Sequence, residues 1–176
     1  VDIGHHYQAQ NVEQIVTWLI EEDGLGGFHF NDRRYADDDL TTGSIDPYQL
    51  FRIFHEIVSA RVLRGKEVPI AYMVDQSHNL KPKIEAMLQT VDFIHQTYAK
   101  AVLVDRKALA AAQAKEDVVL AEETLRDAYL TDTRPLVGYV RQKMGRAPDA
   151  FAAFRQSGYL AKIEKERGIR AGGTLG

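Results

Sequence analysis

The chain has 176 residues, 45% of them hydrophobic, and a net charge of −3 from 22 Lys plus Arg against 25 Asp plus Glu. That length and composition suit one buried core, and the charge offers no positive surplus for nucleic acid or an anionic membrane. Cysteine is absent, which excludes disulfides, thiolate nucleophiles and thiolate metal ligands and fits a reducing, cytoplasmic setting.

Residues 1–3 read as the end of a strand. Val12, Ile15, Val16, Leu19 and Ile20 then recur at helical spacing, with Asn11 as N-cap and Gly24 as stop. Residues 28–31 read as a short strand whose alternation puts His29 and Asn31 on one side, Phe28 and Phe30 on the other. A long polar loop follows over residues 32–46. Asp46 and Pro47 open a second helix with Leu50, Phe51, Phe54, Ile57 and Val58 on its apolar face, ended by Gly65. Residues 68–74 form an apolar run that predicts a second full strand ending at Asp75, with Pro69 tolerated near its start. Pro82 opens a third helix, for which Ile84, Met87, Leu88, Val91, Ile94 and Tyr98 are the expected buried face.

Beyond residue 105 the pattern is helical throughout. Ala108 to Ala112 is alanine-rich, Val118 to Tyr129 is amphipathic, Pro135 and Pro148 open shorter helices, and a frayed tail is expected from Gly168. His55 and His95 fall inside helices and are expected to be structural or surface residues. Trp18 lies one position off its helix's apolar stripe. No apolar run is long enough to span a bilayer, and the first residues show neither the basic nor the apolar stretch of a signal peptide.

Alternating strands and helices with apolar strands predict an α/β fold with a parallel sheet covered by helices. Residues 1–105 form the βα part and residues 106–176 a helical extension, expected to make oligomer contacts. Short polar clusters close the apolar runs, at the strand ends where parallel α/β folds place their sites. They are Asp2 to His6, His29 to Asp32, Asp37 to Asp39, and Asp75 to Asn79.

Carboxylate, imidazole and amide are the donors for a hard or borderline divalent cation. Asp2 and His5 can each supply a ligand, with Gly4 turning the chain between them and His6 as a further donor; the alternative is a solvated polar start. His29 is a ligand or a satisfied strand histidine. In extended chain Asp37 and Asp39 point together and Asp38 away, so the acid run either grips a cation or is a solvated loop. Asp75 ends an apolar strand, where a carboxylate needs a cation or hydrogen bonds from Gln76, Ser77, His78 and Asn79. Nucleotide-binding glycine loops, nucleophile elbows and H-E-x-x-H are absent.

Longer stretches carry a resemblance. Val1 to His6, Gly26 to Asp32, Tyr35 to Leu40, Met73 to Asn79, Ala101 to Arg106 and Arg155 to Tyr159 together resemble the C-terminal part of bacterial L-rhamnose isomerases of the broad-specificity type, which also act on D-allose and related sugars. The resemblance implies the last three βα units of a xylose-isomerase-like (β/α)₈ TIM barrel, the first of them truncated. It implies a homotetramer and two divalent ions, Mn²⁺ first, with Co²⁺, Mg²⁺ or Zn²⁺ as alternatives. It makes Asp2, His29 and Asp75 ligands of a structural metal. It makes His5, Asp37 and Asp39 ligands of a catalytic metal. Asp75, His5 and Asp39 are then the catalytic residues, Asp75 working with a water in ring opening.

The implied reaction exchanges an aldose and a ketose through hydride or proton transfer between C1 and C2. The monosaccharide and the missing N-terminal strands of the barrel are the implied partners. Two alternatives are a metal-dependent phosphodiesterase or endonuclease of the same barrel superfamily, and a non-catalytic assembly fragment.

Overall fold

The computed structural model describes residues 1–7, 9–65, 67–77 and 80–168. His78 and Asn79 of the fourth cluster, and the expected tail beyond Gly168, lie outside the described residues. Among the described residues ten elements follow in order: α1 (Val12–Glu21), β1 (Gly27–Phe30), α2 (Pro47–Arg64), β2 (Ala71–Val74), α3 (Lys83–Leu103), α4 (Arg106–Ala114), α5 (Val118–Leu130), α6 (Arg134–Lys143), α7 (Ala150–Gln156) and α8 (Tyr159–Glu166).

The helix starts follow the sequence chemistry. The Asn11 side chain accepts the Gln14 N–H at α1, and Asp46 accepts the Gln49 N–H at α2, with Pro47 in the first turn. Each satisfies a backbone donor that a helix N-terminus leaves unpaired. Gly65 ends α2 in the left-handed conformation, at φ 59°. At α1 the left-handed position falls on Asp23 instead (φ 54°), and Gly24 donates to the Leu19 carbonyl at 2.7 Å.

β1 and β2 pair in parallel, with Gly27 opposite Ala71 and Phe30 opposite Val74. On the other edge of β1, residues 1–3 add a third parallel position. His29 N–H donates to the Val1 carbonyl at 2.9 Å, and Ile3 N–H donates to the His29 carbonyl at 3.2 Å. The three positions thus lie in chain order, joined through α1 and α2. The result is a helix-rich α/β structure with a small parallel sheet.

Strand alternation decides what each face does. Phe28 and Phe30 are buried in one core cluster with Val12, Val16 and Ile20 of α1 and Leu50, Phe51 and Phe54 of α2. Ring contacts knit the layers: Phe28 to Phe30 at 5.3 Å and Phe30 to Phe54 at 5.6 Å between centroids. Each such buried side chain contributes roughly 1.5–3 kcal/mol. The opposite face carries His29 and Met73, and Met73 remains 45% exposed.

Expectations for β2 and α3 need correction. The second strand covers only Ala71–Val74, not residues 68–74. Pro69 has no N–H to give a ladder, and pairing begins where Ala71 N–H donates to the Gly26 carbonyl at 3.0 Å. Nor is that strand buried on both faces, since Tyr72 is 51% exposed beside its ring contact with Phe30. The buried line of α3 also differs from the expected stripe. Ile94 and Tyr98 pack against the core as expected, but the fully buried line runs through Ala86, Thr90, Thr97 and Ala101, while Ile84, Met87 and Val91 are exposed. Small residues let neighbouring helices approach, and the hydroxyls are satisfied within the fold: Thr97 Oγ1 donates to the Phe93 carbonyl at 2.9 Å.

The later helices fasten onto α2 and α3. Tyr129 of α5 meets Phe51 at 5.5 Å, and Lys100 Nζ donates to the Tyr129 carbonyl at 2.6 Å. Arg141 of α6 pairs with Asp92 at 2.6 Å, and Arg155 of α7 pairs with Glu85 at 2.7 Å. Trp18 is exposed. Among the described residues no helix is long and apolar enough to cross a membrane.

Candidate metal centre

The sheet's C-terminal rim gathers the acids and imidazoles. Asp2 lies in the bridge to His29, and its Oδ2 sits 3.2 Å from His29 Nδ1. The same nitrogen is 3.2 Å from Asp75 Oδ2. Parallel register explains the third member. His29 is opposite Met73, and Asp75 follows two residues later on the same face, its N–H donating to the Phe30 carbonyl at 3.1 Å. Asp2, His29 and Asp75 form one trio with a ligand atom from each within 4.8 Å of the others; His5, Asp37 and Asp39 form a second.

His5 spans the trios. Its Nδ1 lies 2.7 Å from Asp2 Oδ2 and its Nε2 lies 2.8 Å from Asp37 Oδ1. Asp37 and Asp39 do serve one group while Asp38 turns away, but not because the chain is extended. Asp39 is left-handed at φ 44°. Asp38 closes its own turn, accepting the N–H groups of Arg34 at 2.7 Å and Tyr35 at 2.8 Å. The Asp39 carbonyl accepts the Ser77 N–H at 2.9 Å, tying this loop to the one after β2. His6 joins neither trio. Burial pushes its imidazole down, against a hydrogen bond that the ring donates to Gln10.

Several supporting residues carried no clear signal in the sequence. Asn31 is 1% exposed, and its Nδ2 donates to Asp2 Oδ1 at 2.9 Å and Asp39 Oδ1 at 3.1 Å. Its place on the His29 side of the strand was the available hint. Arg33 stitches the first segment down, donating to the Ile3 carbonyl at 2.6 Å and the Tyr7 carbonyl at 2.7 Å. Asp32 receives the N–H groups of Ile45 and Asp46 at 2.8 and 3.1 Å. Gln76, expected as a partner of Asp75, instead binds Thr90 Oγ1 at 2.7 Å and accepts the Thr42 N–H at 3.2 Å.

The electrostatics follow from this crowding. Burial pushes the Asp2 carboxyl up, but hydrogen bonds from Asn31, His5 and His29 outweigh it and hold the group below its ordinary value. Burial raises Asp39, and the charges of Asp37 and Asp75 raise it further. Hydrogen bonds to Asp2 and then Asp37 raise the His5 imidazole. A carboxyl such as that of Asp39, raised by burial and by acidic neighbours, is the setting that a divalent cation relieves.

The donor chemistry fits such an ion. Each trio offers two carboxylates and one imidazole, a set that suits Mn²⁺, Co²⁺, Mg²⁺ or Zn²⁺ and leaves coordination positions for water or substrate. A cavity of about 520 Å³ opens beside the second trio, lined by His5, Tyr7, Arg33, Tyr35 and Asp37 among others.

No protein-family model matches the chain. Two curated relatives do, each named "Probable sugar isomerase", one from Mesorhizobium japonicum and one from Rhizobium meliloti. Each is 46% identical over 176 residues, covering 100% of this chain and 41% of the relative. The chain therefore spans about two fifths of the length of the curated relatives it matches.

Proposed function

We propose that this chain forms part of a metal-dependent sugar isomerase that interconverts an aldose and a ketose. Two trios of acids and imidazole on one sheet rim carry the reading, supported by the names of the two relatives. The finer assignment is the L-rhamnose isomerase type, taking L-rhamnose to L-rhamnulose and also D-allose-like sugars.

Asp2, His29 and Asp75 would hold one divalent ion and His5, Asp37 and Asp39 the other. When bound, such ions supply Lewis acidity that polarises a carbonyl and its neighbouring hydroxyl. The protein's own task is to fix the sugar so that C1 and C2 are aligned for transfer of hydrogen. Asp75, with 52% of its side chain exposed, can accept a hydroxyl proton through a water during ring opening.

The architecture supports a place in a (β/α)₈ barrel. Parallel positions in chain order, helices on one face and acids at the C-terminal rim are three βα units' worth of that plan. Closure fixes strand number and stagger together, so three strands cannot close alone. We assign the remaining strands to residues outside this chain, and the assembled form to a homotetramer.

The test uses the longest protein that carries these 176 residues, stripped with EDTA and reloaded with Mn²⁺. It should convert L-rhamnose or D-allose to the ketose only when reloaded. Asp75→Asn should lower turnover by about a hundredfold or more. Absence of any aldose–ketose exchange with Mn²⁺ would remove the proposal.

A further inference from the structure

We propose that Asn31 is a positioning residue shared by the two trios: one carboxamide holds a carboxylate of each, so both sites are built together and lost together. This rests on the reading of the trios as cation sites.

The argument starts from the amide's orientation. Gly4 N–H donates to Asn31 Oδ1 at 2.6 Å. The oxygen end is therefore committed to a backbone donor, and the NH₂ end must face the acids. Its two hydrogens serve one carboxylate each, Asp2 Oδ1 at 2.9 Å and Asp39 Oδ1 at 3.1 Å. Asp2 shows the consequence. Its Oδ1 is held by Asn31 and by Gly4 N–H at 3.1 Å, while its Oδ2 faces His5 and His29 at 2.7 and 3.2 Å. One oxygen is fixed from behind and the other is presented to the trio.

His5 also spans the two groups, but it does so as a member of the donor set. Asn31 stands outside that set and is buried, so it can orient both carboxylates without competing for an ion. Position 4 protects the arrangement. A Cβ on Gly4 would lie 2.8 Å from Asn31 Oδ1, so a side chain there displaces the amide.

The experiment is calorimetric titration of EDTA-treated protein with Mn²⁺, using the longest chain that carries these residues, beside thermal melting without metal. The unsubstituted protein should take up two ions. Asn31→Asp keeps the shape, loses both donors and adds a charge; Asn31→Ala removes the amide without adding one. Each should weaken both uptake events, by about ten- to hundredfold, and Gly4→Ala should weaken both as well. The alanine variant carries the test if the aspartate variant does not fold. Weakening of one event alone, or a lower melting temperature with both affinities intact, would overturn the proposal while sparing the cation reading. No uptake by the unsubstituted protein would overturn both.

Discussion

Protons should compete with cations at the second trio, and His5 sets where. Hydrogen bonds to Asp2 and Asp37 hold its imidazole above the ordinary value of 6.5. Both ring nitrogens face carboxylates, Nδ1 towards Asp2 and Nε2 towards Asp37, so the metal-free site favours the charged imidazole, in which both nitrogens donate. A ligating nitrogen must be bare, so an entering cation expels that proton. Below the imidazole's pKa the apparent affinity should therefore fall by up to about tenfold per pH unit. Asp39, raised by burial and then by Asp37 and Asp75, adds a second proton at lower pH and steepens the fall. The same linkage acts on the metal-free fold. The His5 contribution to stability is present below pH 6.5 and is lost as pH rises through the folded value. Calorimetry with Mn²⁺ from about pH 8 to about pH 6, in two buffers of different ionisation enthalpy, counts the protons released. His5→Gln should reduce that count. A flat affinity in the unsubstituted protein, or an undiminished slope in His5→Gln, would refute the reasoning.

His55 gives the opposite sign. Burial, followed by the charges of Arg106 and Arg52, pushes its imidazole down to about 4. The folded chain stays neutral there while the unfolded chain takes up a proton below pH 6.5, so stability should fall as pH drops from 6.5 towards 4. The loss is bounded by ~3 kcal/mol, and urea midpoints against pH should flatten in His55→Leu; an unchanged slope would contradict it. Gly43→Ala is expected to be costly for a different reason. The residue sits at φ +73°, and a Cβ there would fall onto the Phe93 ring. Left-handed strain plus overpacking should cost roughly 2–4 kcal/mol by denaturant melting, and a neutral result would mean that Phe93 does not seat against this loop.

Much of the scaffold was legible because its signals are local. Asn11, Asp46, Pro47 and Gly65 act within one helical turn, and the structure uses each as its chemistry suggests. Asp2, His29 and Asp75 were legible as candidates because they sit at the ends of strands, and Asp37 and Asp39 because three acids run together in the loop after one. Their division into trios came from family resemblance, since spacing alone cannot say that Asp2 meets His29 and Asp75. What stayed hidden depends on neighbours. Periodicity marks Ile84, Met87 and Val91 as apolar but not whether a helix covers them, and the helix turned its small residues inward instead. The reach of β2 depends on a partner strand. Asn31 and Arg33 act through bonds to segments that only the fold brings near, and the left-handed Asp39 has no glycine to announce it.

The central claim is two divalent ions at one rim, and anomalous diffraction from Mn²⁺-soaked crystals tests it most directly. The account predicts two peaks, one among Asp2, His29 and Asp75 and one among His5, Asp37 and Asp39. An empty rim at saturating Mn²⁺, or peaks held by other residues, would contradict it.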